Sequence, residues 1–230
     1  MDIAVLGSGS WATAIVKIAT QNHDKVHWWV REQEIVEGVR QCGRNPLFLR
    51  SCQLDTNKIE ITTDIKKVIS STDNIVLVIP SAFVEKSLQG LSPNDFENKN
   101  IISATKGIIP STNQIVADFL QSQFNVELER QAVLSGPSHA EEIAQDGMTY
   151  LTIGAHNPQF ANELAKRFAC RFVKTRTSSD IRGIEYSAVL KNIYALVAGI
   201  FKGAGYGDNF ISVLISNAAQ EMQRFLNTID

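Results

Sequence analysis

The sequence contains little of what marks disulfide-rich or metal-binding proteins. It has three cysteines in 230 residues, Cys42, Cys52 and Cys170, and none of them forms a CxxC pair. The four histidines likewise lack a metal-site spacing such as HExxH. This pattern argues against a disulfide framework or a zinc site and favours a reducing compartment. We therefore expect a cytoplasmic protein without a bound metal.

The chain also lacks a charge excess of one sign and a long apolar run. Its 22 basic and 24 acidic residues leave a formal charge of −2, which offers no electrostatic argument for nucleic acid or an anionic membrane. The densest apolar stretch, Val189–Val197, is interrupted by Lys191 and Asn192, and no basic region precedes an apolar run at the N-terminus. We therefore expect no signal peptide and no membrane insertion.

Short apolar runs alternate with helical stretches along the first three quarters of the chain. Ile3–Leu6 is a continuous apolar run followed at once by a glycine, as is typical of strands buried on both faces of a parallel sheet. Further strands are predicted at 25–30, 75–79, 101–104 and 132–134, with helices at 11–20 and 115–123. This alternation predicts an α/β fold with a Rossmann-type doubly wound sheet, which we place at residues 1–175.

The pattern changes near Asp180. Ile184–Ile200 and Phe210–Leu226 are predicted to be two helices, separated by the glycine-rich segment Gly203–Gly207, and no strand pattern returns. Residues 176–230 are therefore predicted to begin an all-helical domain.

A glycine-rich segment follows the first strand and opens the first helix. Gly7 permits a tight turn, Gly9 lets a pyrophosphate approach the backbone, and Ala12 stands at the third position, where close packing is the requirement. A plain turn is the alternative, but the position between strand and helix favours a dinucleotide-binding fingerprint.

Arg31 lies at the end of the second predicted strand, where the adenine ribose is recognised. An arginine here accommodates the 2′-phosphate of NADP, whereas an acidic residue favours NAD. Glu32 and Glu34 follow directly, so both cofactors remain open, and a solvated surface arginine is the alternative for Arg31.

Small, polar or basic residues follow three later strands. Because ligands of open α/β sheets lie outside the carboxyl ends of the strands, these residues are candidates for ligand contacts. Lys106 offers a point charge, while Gly136 and Ser138 offer backbone and hydroxyl donors. A surface lysine and a simple Gly-Pro turn are the alternatives. The segments are Pro80–Ser81, Thr105–Gly107 and Ser135–Ser138.

Lys191 interrupts an otherwise apolar helix. Helices that are apolar all round are usually buried, and Ala188 and Ala195 on the same face leave room for a ligand. Burial would lower the pKa of the lysine and suit it to general acid–base work. A lysine that extends to the rim of a helical bundle is the alternative.

Taken together, these motifs resemble the bacterial-type NAD(P)-dependent glycerol-3-phosphate dehydrogenases. The resemblance runs along essentially the whole chain, and the order and spacing of its segments are more specific than any one of them. The segments are Gly7–Trp11, Trp29–Arg31, Asn45–Leu49, Ile79–Ser81, Thr105–Gly107, Ser135–Ala140, Leu190–Asn192 and Gly205–Asn209.

The resemblance implies a fold, an activity and roles for individual residues. Such enzymes interconvert glycerol 3-phosphate and dihydroxyacetone phosphate with NAD or NADP, feed phospholipid synthesis and form homodimers. Lys191 would be the proton donor or acceptor, and Lys106 would lie between nicotinamide and substrate. Cofactor contacts are implied for Gly7, Gly9, Ser10, Trp11, Arg31, Lys106 and Ala140, and substrate contacts for Lys106, Gly136, Ser138 and Lys191.

Some features of the family pattern are absent. Phe48 replaces a usual tyrosine, Ala12 a usual glycine, and the Thr-Arg-Gly segment expected after Asn209 is not present. The Gly-Asp-Leu and Ser-Arg-Asn segments of the family's later helices have no match, so the resemblance implies a truncated substrate-binding domain. Another reductase with a Rossmann and a helical domain, of the ketopantoate or hydroxyacyl type, and an inactive dinucleotide-binding module remain alternatives.

Overall fold

A computed structural model describes residues 2–229 of the chain. One eight-stranded sheet runs through it in the order β3-β2-β1-β4-β5-β6-β7-β8. The strands are β1 (Ile3–Leu6), β2 (Val26–Trp29), β3 (Ile59–Thr62), β4 (Asn74–Leu77), β5 (Asn100–Ser103), β6 (Gln131–Ser135), β7 (Thr149–Ala155) and β8 (Val173–Ser178).

Helices cover both faces of this sheet, and the last two helices form a hairpin at its end. They are α1 (Ser10–Asn22), α2 (Gln33–Cys42), α3 (Ile65–Ser70), α4 (Ser81–Ser87), α5 (Val116–Phe124), α6 (Ala140–Ala144), α7 (Pro158–Phe168), α8 (Ile181–Gly203) and α9 (Asp208–Ile229). The predicted α/β architecture with a helical C-terminal region is therefore confirmed.

Strands β1 to β6 are parallel, and the strand order reverses between β1 and β4. In doubly wound sheets a ligand crevice opens at such a reversal, outside the carboxyl ends of the strands. The residues that follow β1, β4, β5 and β6 therefore face one region, which places the fingerprint near Lys106 and Gly136. β7 then pairs antiparallel to β6 and parallel to β8.

Three strands were not predicted, and each lacks a continuous apolar run. β3 and β8 are the two edges of the sheet and carry exposed polar residues, as in the sequence Val-Lys-Thr-Arg-Thr-Ser of β8. In β7, buried and exposed positions mix at its start. β8 also spans the boundary that we predicted between residues 175 and 176, and the two C-terminal helices begin at Ile181.

Helices α8 and α9 run antiparallel to each other. The rings of Tyr186 and Phe225 meet at one end, with centroids 5.9 Å apart, and those of Phe201 and Phe210 at the other, 4.9 Å apart. Only the first two turns of α8 are buried, where they pack against β6, β7 and α5.

The burial predicted for Lys191 is wrong, because its side chain is exposed. Within residues 2–229, α9 covers one face of α8, and apolar side chains such as Leu196 and Ile200 are 66% and 60% exposed. The expectation about apolar runs also needs correction. By length and composition alone α8 is apolar enough to cross a membrane, since an 18-residue window within it has a mean hydropathy of 1.3, and core helices of soluble proteins also pass this test.

Candidate dinucleotide and substrate site

The turn after β1 requires a glycine at its first position. Gly7 has φ +146°, and a Cβ added there would lie 2.3 Å from the carbonyl oxygen of Val78, the residue that follows β4. Gly9 differs, because an added Cβ would have no atom within 4 Å and no side chain caps α1 at this residue. The first N–H groups of α1 therefore face open space, which suits the pyrophosphate of a dinucleotide.

A buried asparagine, for which the sequence predicts no individual role, holds this loop in place. The Asn45 side chain donates hydrogen bonds to the carbonyl oxygen of Ser8 and to Thr13 Oγ1, at 3.0 and 2.9 Å. Its Oδ1 accepts the N–H groups of Leu47 and Phe48. Asn45 thus joins the loop at 45–48 to the fingerprint, and its place before a proline is the only local signal of that role.

Arg31 lies at the adenosine end of this crevice, two residues beyond β2. Its guanidinium is exposed and pairs with the Glu32 carboxylate, with Nη2 2.6 Å from Oε1. Partial burial acts to raise the pKa of Glu32, but hydrogen bonds from Ser8 and Arg31 outweigh it and hold the pKa below its ordinary value. A charged pair therefore stands at the position where Rossmann-type sheets generally recognise a ribose or its 2′-phosphate.

Trp11 connects the fingerprint to Lys106. The Trp11 indole N–H donates to the carbonyl oxygen of Ala104 at the end of β5, at 3.2 Å. The ammonium of Lys106 lies 5.7 Å from the centre of the same indole, as in a cation–π contact. Lys106 is thereby held at the edge of the dinucleotide crevice.

Lys106 and Lys191 both line a cavity of about 530 Å³ between the ends of β5 and β6 and helix α8. Loss of hydration, and then the charge of Lys191, lower the pKa of Lys106. Asp180, the carboxylate of the lining, accepts the N–H of Gly183 at 2.6 Å as the N-cap of α8. The cavity thus offers two ammonium groups to an anion. It is lined by Lys106, Ser135, Gly136, Pro137, Thr152, Asp180, Gly183, Ile184, Ser187, Ala188, Lys191 and Leu226.

The remaining predicted residues lie around this cavity in different ways. Gly136 lines it and has φ +138°, and a Cβ there would meet the carbonyl oxygen of Tyr150 at 2.3 Å. Ser138 is outside the lining and its hydroxyl donates to the carbonyl oxygen of Gly136 at 3.1 Å. Ala140 begins α6 and packs, like Trp11, against the core beneath α1.

The structure therefore brings most of the predicted residues to two adjoining places, while Ser138 and Ala140 lie outside the cavity lining. The fingerprint and Arg31 border the dinucleotide crevice, Lys191 and Gly136 border the cavity, and Lys106 touches both. Among residues 2–229 no group of three or more histidine, cysteine, aspartate or glutamate side chains is arranged to hold a metal ion.

Two family models and many curated proteins match this chain. Residues 2–161 match the family model of the NAD-dependent glycerol-3-phosphate dehydrogenase N-terminus, and residues 180–230 match that of its C-terminus. A glycerol-3-phosphate dehydrogenase [NAD(P)+] of Syntrophotalea carbinolica is 35% identical over 97% of this chain and 67% of its own length. That of Oceanobacillus iheyensis is 34% identical over 96% of this chain and 64% of its own.

A solved structure shows the same fold. The crystal structure of glycerol-3-phosphate dehydrogenase from Coxiella burnetii superposes with a TM-score of 0.89 at 26% identity, over 99% of this chain and 69% of that one. The chain thus spans about two thirds of the length of the relatives that it matches.

Proposed function

The chain belongs to the NAD-dependent glycerol-3-phosphate dehydrogenase family, and on this premise we propose that it interconverts glycerol 3-phosphate and dihydroxyacetone phosphate with NAD(P). The observation that carries the proposal is the position of Lys106, which contacts the fingerprint residue Trp11 and shares a cavity with Lys191. A phosphorylated three-carbon substrate is small and anionic, and this cavity is small and presents two cations.

In the mechanism, the protein positions the substrate and handles its proton. A nicotinamide held beside Trp11 and Lys106 would supply or accept the hydride at C2 of the substrate. In the reductive direction the Lys191 ammonium donates a proton to the C2 oxygen as negative charge develops there, and in the oxidative direction its amine removes that proton. Lys106 stabilises the same oxygen or the phosphate by its charge, without a proton transfer of its own.

The exposure of Lys191 to solvent changes the physical reason for its role as proton donor and acceptor. The sequence suggested that burial would tune the lysine, whereas in the structure it is exposed on the cavity side of α8. Lys106 lines the same cavity, and two ammonium groups that face one cavity repel each other. A bound dianionic phosphate relieves that repulsion, so substrate binding is expected to raise the pKa of Lys106 towards its ordinary value.

The wider setting follows from the same family. We propose that the product feeds glycerophospholipid synthesis, that the protein acts in the cytoplasm and that it forms a homodimer. The exposed apolar side chains of α8 and α9, among them Leu196, Ile200 and Val213, provide a surface on which a second copy can pack. Analytical ultracentrifugation of the purified chain tests the dimer, and a monomer at all concentrations contradicts it.

A substrate comparison tests the proposed reaction. NADH or NADPH oxidation by the purified chain is measured with dihydroxyacetone phosphate and with ketopantoate, and cofactor binding is measured separately by fluorescence. We expect oxidation with dihydroxyacetone phosphate alone. Oxidation with ketopantoate alone overturns the proposal, and cofactor binding without turnover of either substrate favours the inactive binding module.

Arg31 is the residue that we expect to distinguish NADPH from NADH. If its guanidinium receives the 2′-phosphate, Arg31→Ala will weaken NADPH binding about tenfold or more, as expected for one charge-assisted contact, and leave NADH binding nearly unchanged. Arg176→Ala on the exposed edge strand is the matched control and should change neither affinity. An equal loss of affinity for NADPH and NADH would show that Arg31 does not bind the 2′-phosphate.

A further inference from the structure

Helix α8 is attached to the sheet domain through one buried carboxyl group. Glu185 is only 5% exposed, although most of its helix is open to solvent. Its Oε2 accepts the backbone N–H of Ala117, at 3.2 Å, in the first turn of α5. Because the residue that precedes α5, Ile115, provides no side-chain cap, Glu185 of another helix performs that role.

Two further contacts surround this attachment. Arg182, one turn earlier on α8, pairs with Asp118 on α5, with Nη2 2.8 Å from Oδ1. The buried Gln131 of β6 donates to the carbonyl oxygen of Ala117 at 3.2 Å. The peptide groups on both sides of Ala117 thus have fixed partners. The N–H group that Glu185 accepts is therefore held in place by the sheet as well as by α5.

Lys191 depends on this attachment for its position. It lies six residues after Glu185 on the same uninterrupted helix, beyond the turns that contact the sheet. The lining of the cavity by α8, from Gly183 to Lys191, spans the anchored start of the helix and its exposed continuation. Because a continuous helix is stiff, the orientation of its first turns sets that of its later turns. Loss of the contact between Glu185 and α5 would therefore move Lys191 relative to Lys106.

We propose that Glu185 is a positioning residue that docks α8 on the first turn of α5 and thereby holds Lys191 opposite Lys106 in the substrate cavity. This inference rests on the proposed function for the role of Lys191, whereas the docking itself requires no substrate.

The charge state of Glu185 provides a readout of the docked state. Burial, opposed by the Ala117 N–H and reinforced by the charge of Asp118, raises the pKa of Glu185 to about 7, while the Ser103 hydroxyl and Arg182 act to lower it. Asp118 and Arg182 are the charged groups that face it from α5 and α8, and Ser103 and Gln131 on the sheet do not titrate. Because the docked state favours the protonated form, docking weakens as the pH rises from the ordinary pKa of 4.5 to about 7 and levels off above that.

Amide hydrogen exchange on the full chain tests the inference. Wild type, Glu185→Gln and Glu185→Ala are compared for exchange in 181–191, at about pH 6 and about pH 8, with correction for intrinsic exchange rates. Glu185→Ala is expected to exchange about tenfold faster at both pH values, since one buried hydrogen bond is lost. Glu185→Gln keeps an acceptor oxygen without a titratable proton, so its exchange should be slow and independent of pH.

The kinetic arm separates positioning from a merely structural role. In Glu185→Ala, kcat with dihydroxyacetone phosphate should fall about tenfold, in line with the exchange, while the KM for the cofactor stays unchanged. Glu185→Gln should restore kcat and remove the wild-type decline between about pH 6 and about pH 8. Glu97→Ala, an exposed remote carboxylate, is the matched control.

Several results would overturn the inference. These are unchanged exchange of α8 in Glu185→Ala, or wild-type exchange with the same pH dependence as that of Glu185→Gln. Should Glu185→Ala fail to fold, the comparison of wild type with Glu185→Gln decides alone. If no variant turns over substrate but the exchange results are as expected, the proposed function fails and the docking role stands.

Discussion

Replacing Lys191 by methionine is expected to lower kcat for dihydroxyacetone phosphate reduction by about 100-fold or more, as is typical for the loss of a general acid–base group. Methionine keeps a long flexible stem beside Leu226 and the other cavity residues but carries no proton to transfer. Because Lys191 is exposed, the melting temperature should stay the same. Steady-state kinetics together with a thermal unfolding curve measure both effects.

Two observations accompany this change and identify its cause. The affinity for NADH should be preserved, because Lys191 lines the cavity and not the glycine turn. Removing the Lys191 charge should also raise the pKa of Lys106, which that charge now helps to lower. Lys202→Met, at the far end of α8, is the control, since Lys202 pairs with Asp208 outside the cavity. A kcat equal to that of the wild type would remove Lys191 from the chemistry.

Alanine at the two fingerprint glycines should affect different properties, stability at Gly7 and cofactor binding at Gly9. At Gly7 the new Cβ meets the backbone of Val78 at 2.3 Å and the φ of +146° disfavours any other residue. We expect Gly7→Ala to destabilise the fold by about 3 kcal/mol or more, which lowers Tm by roughly 10 °C in a chain of this size. At Gly9 the new Cβ enters open space, so Gly9→Ala should unfold at the wild-type temperature.

Cofactor affinity distinguishes the same pair. If the space beside Gly9 receives the pyrophosphate, the extra methyl group stands between the phosphate and the N–H groups of α1, and NADH binding should weaken about tenfold or more. Differential scanning calorimetry and a fluorescence titration measure both quantities for each variant. Equal NADH affinity in Gly9→Ala and wild type would contradict the assignment of this space to the cofactor.

The sheet could be predicted where its strands are buried on both faces. β1 and the part of β4 that follows Asn74 are continuous apolar runs near the centre of the sheet, and such runs predict a strand from sequence alone. β3 and β8 are edge strands, whose exposed polar residues follow from neighbours that lie on one side only. Sequence periodicity contains no information about which strand is last in a sheet, and these strands were missed for that reason.

The candidate site was predictable where a local motif carries the chemistry. Gly7 and Gly9 follow a strand and precede a helix, and Lys106 comes shortly after a strand, so short stretches suffice for them. Asn45 and Glu185 act through partners that are distant in the chain, Ser8 and Ala117, and no short stretch reveals such a pairing. The error about Lys191 has the same origin, since burial depends on how many helices cover α8.

A single-turnover experiment tests the central claim most directly. Wild type and Lys191→Met, each in excess over bound NADH, are mixed with dihydroxyacetone phosphate, and the absorbance of the reduced nicotinamide is followed. We predict that the wild type oxidises its bound NADH and that Lys191→Met, with NADH equally bound, does so about 100-fold more slowly or not at all. Equal rates in the two proteins, or no oxidation by the wild type although NADH is bound, would contradict the account.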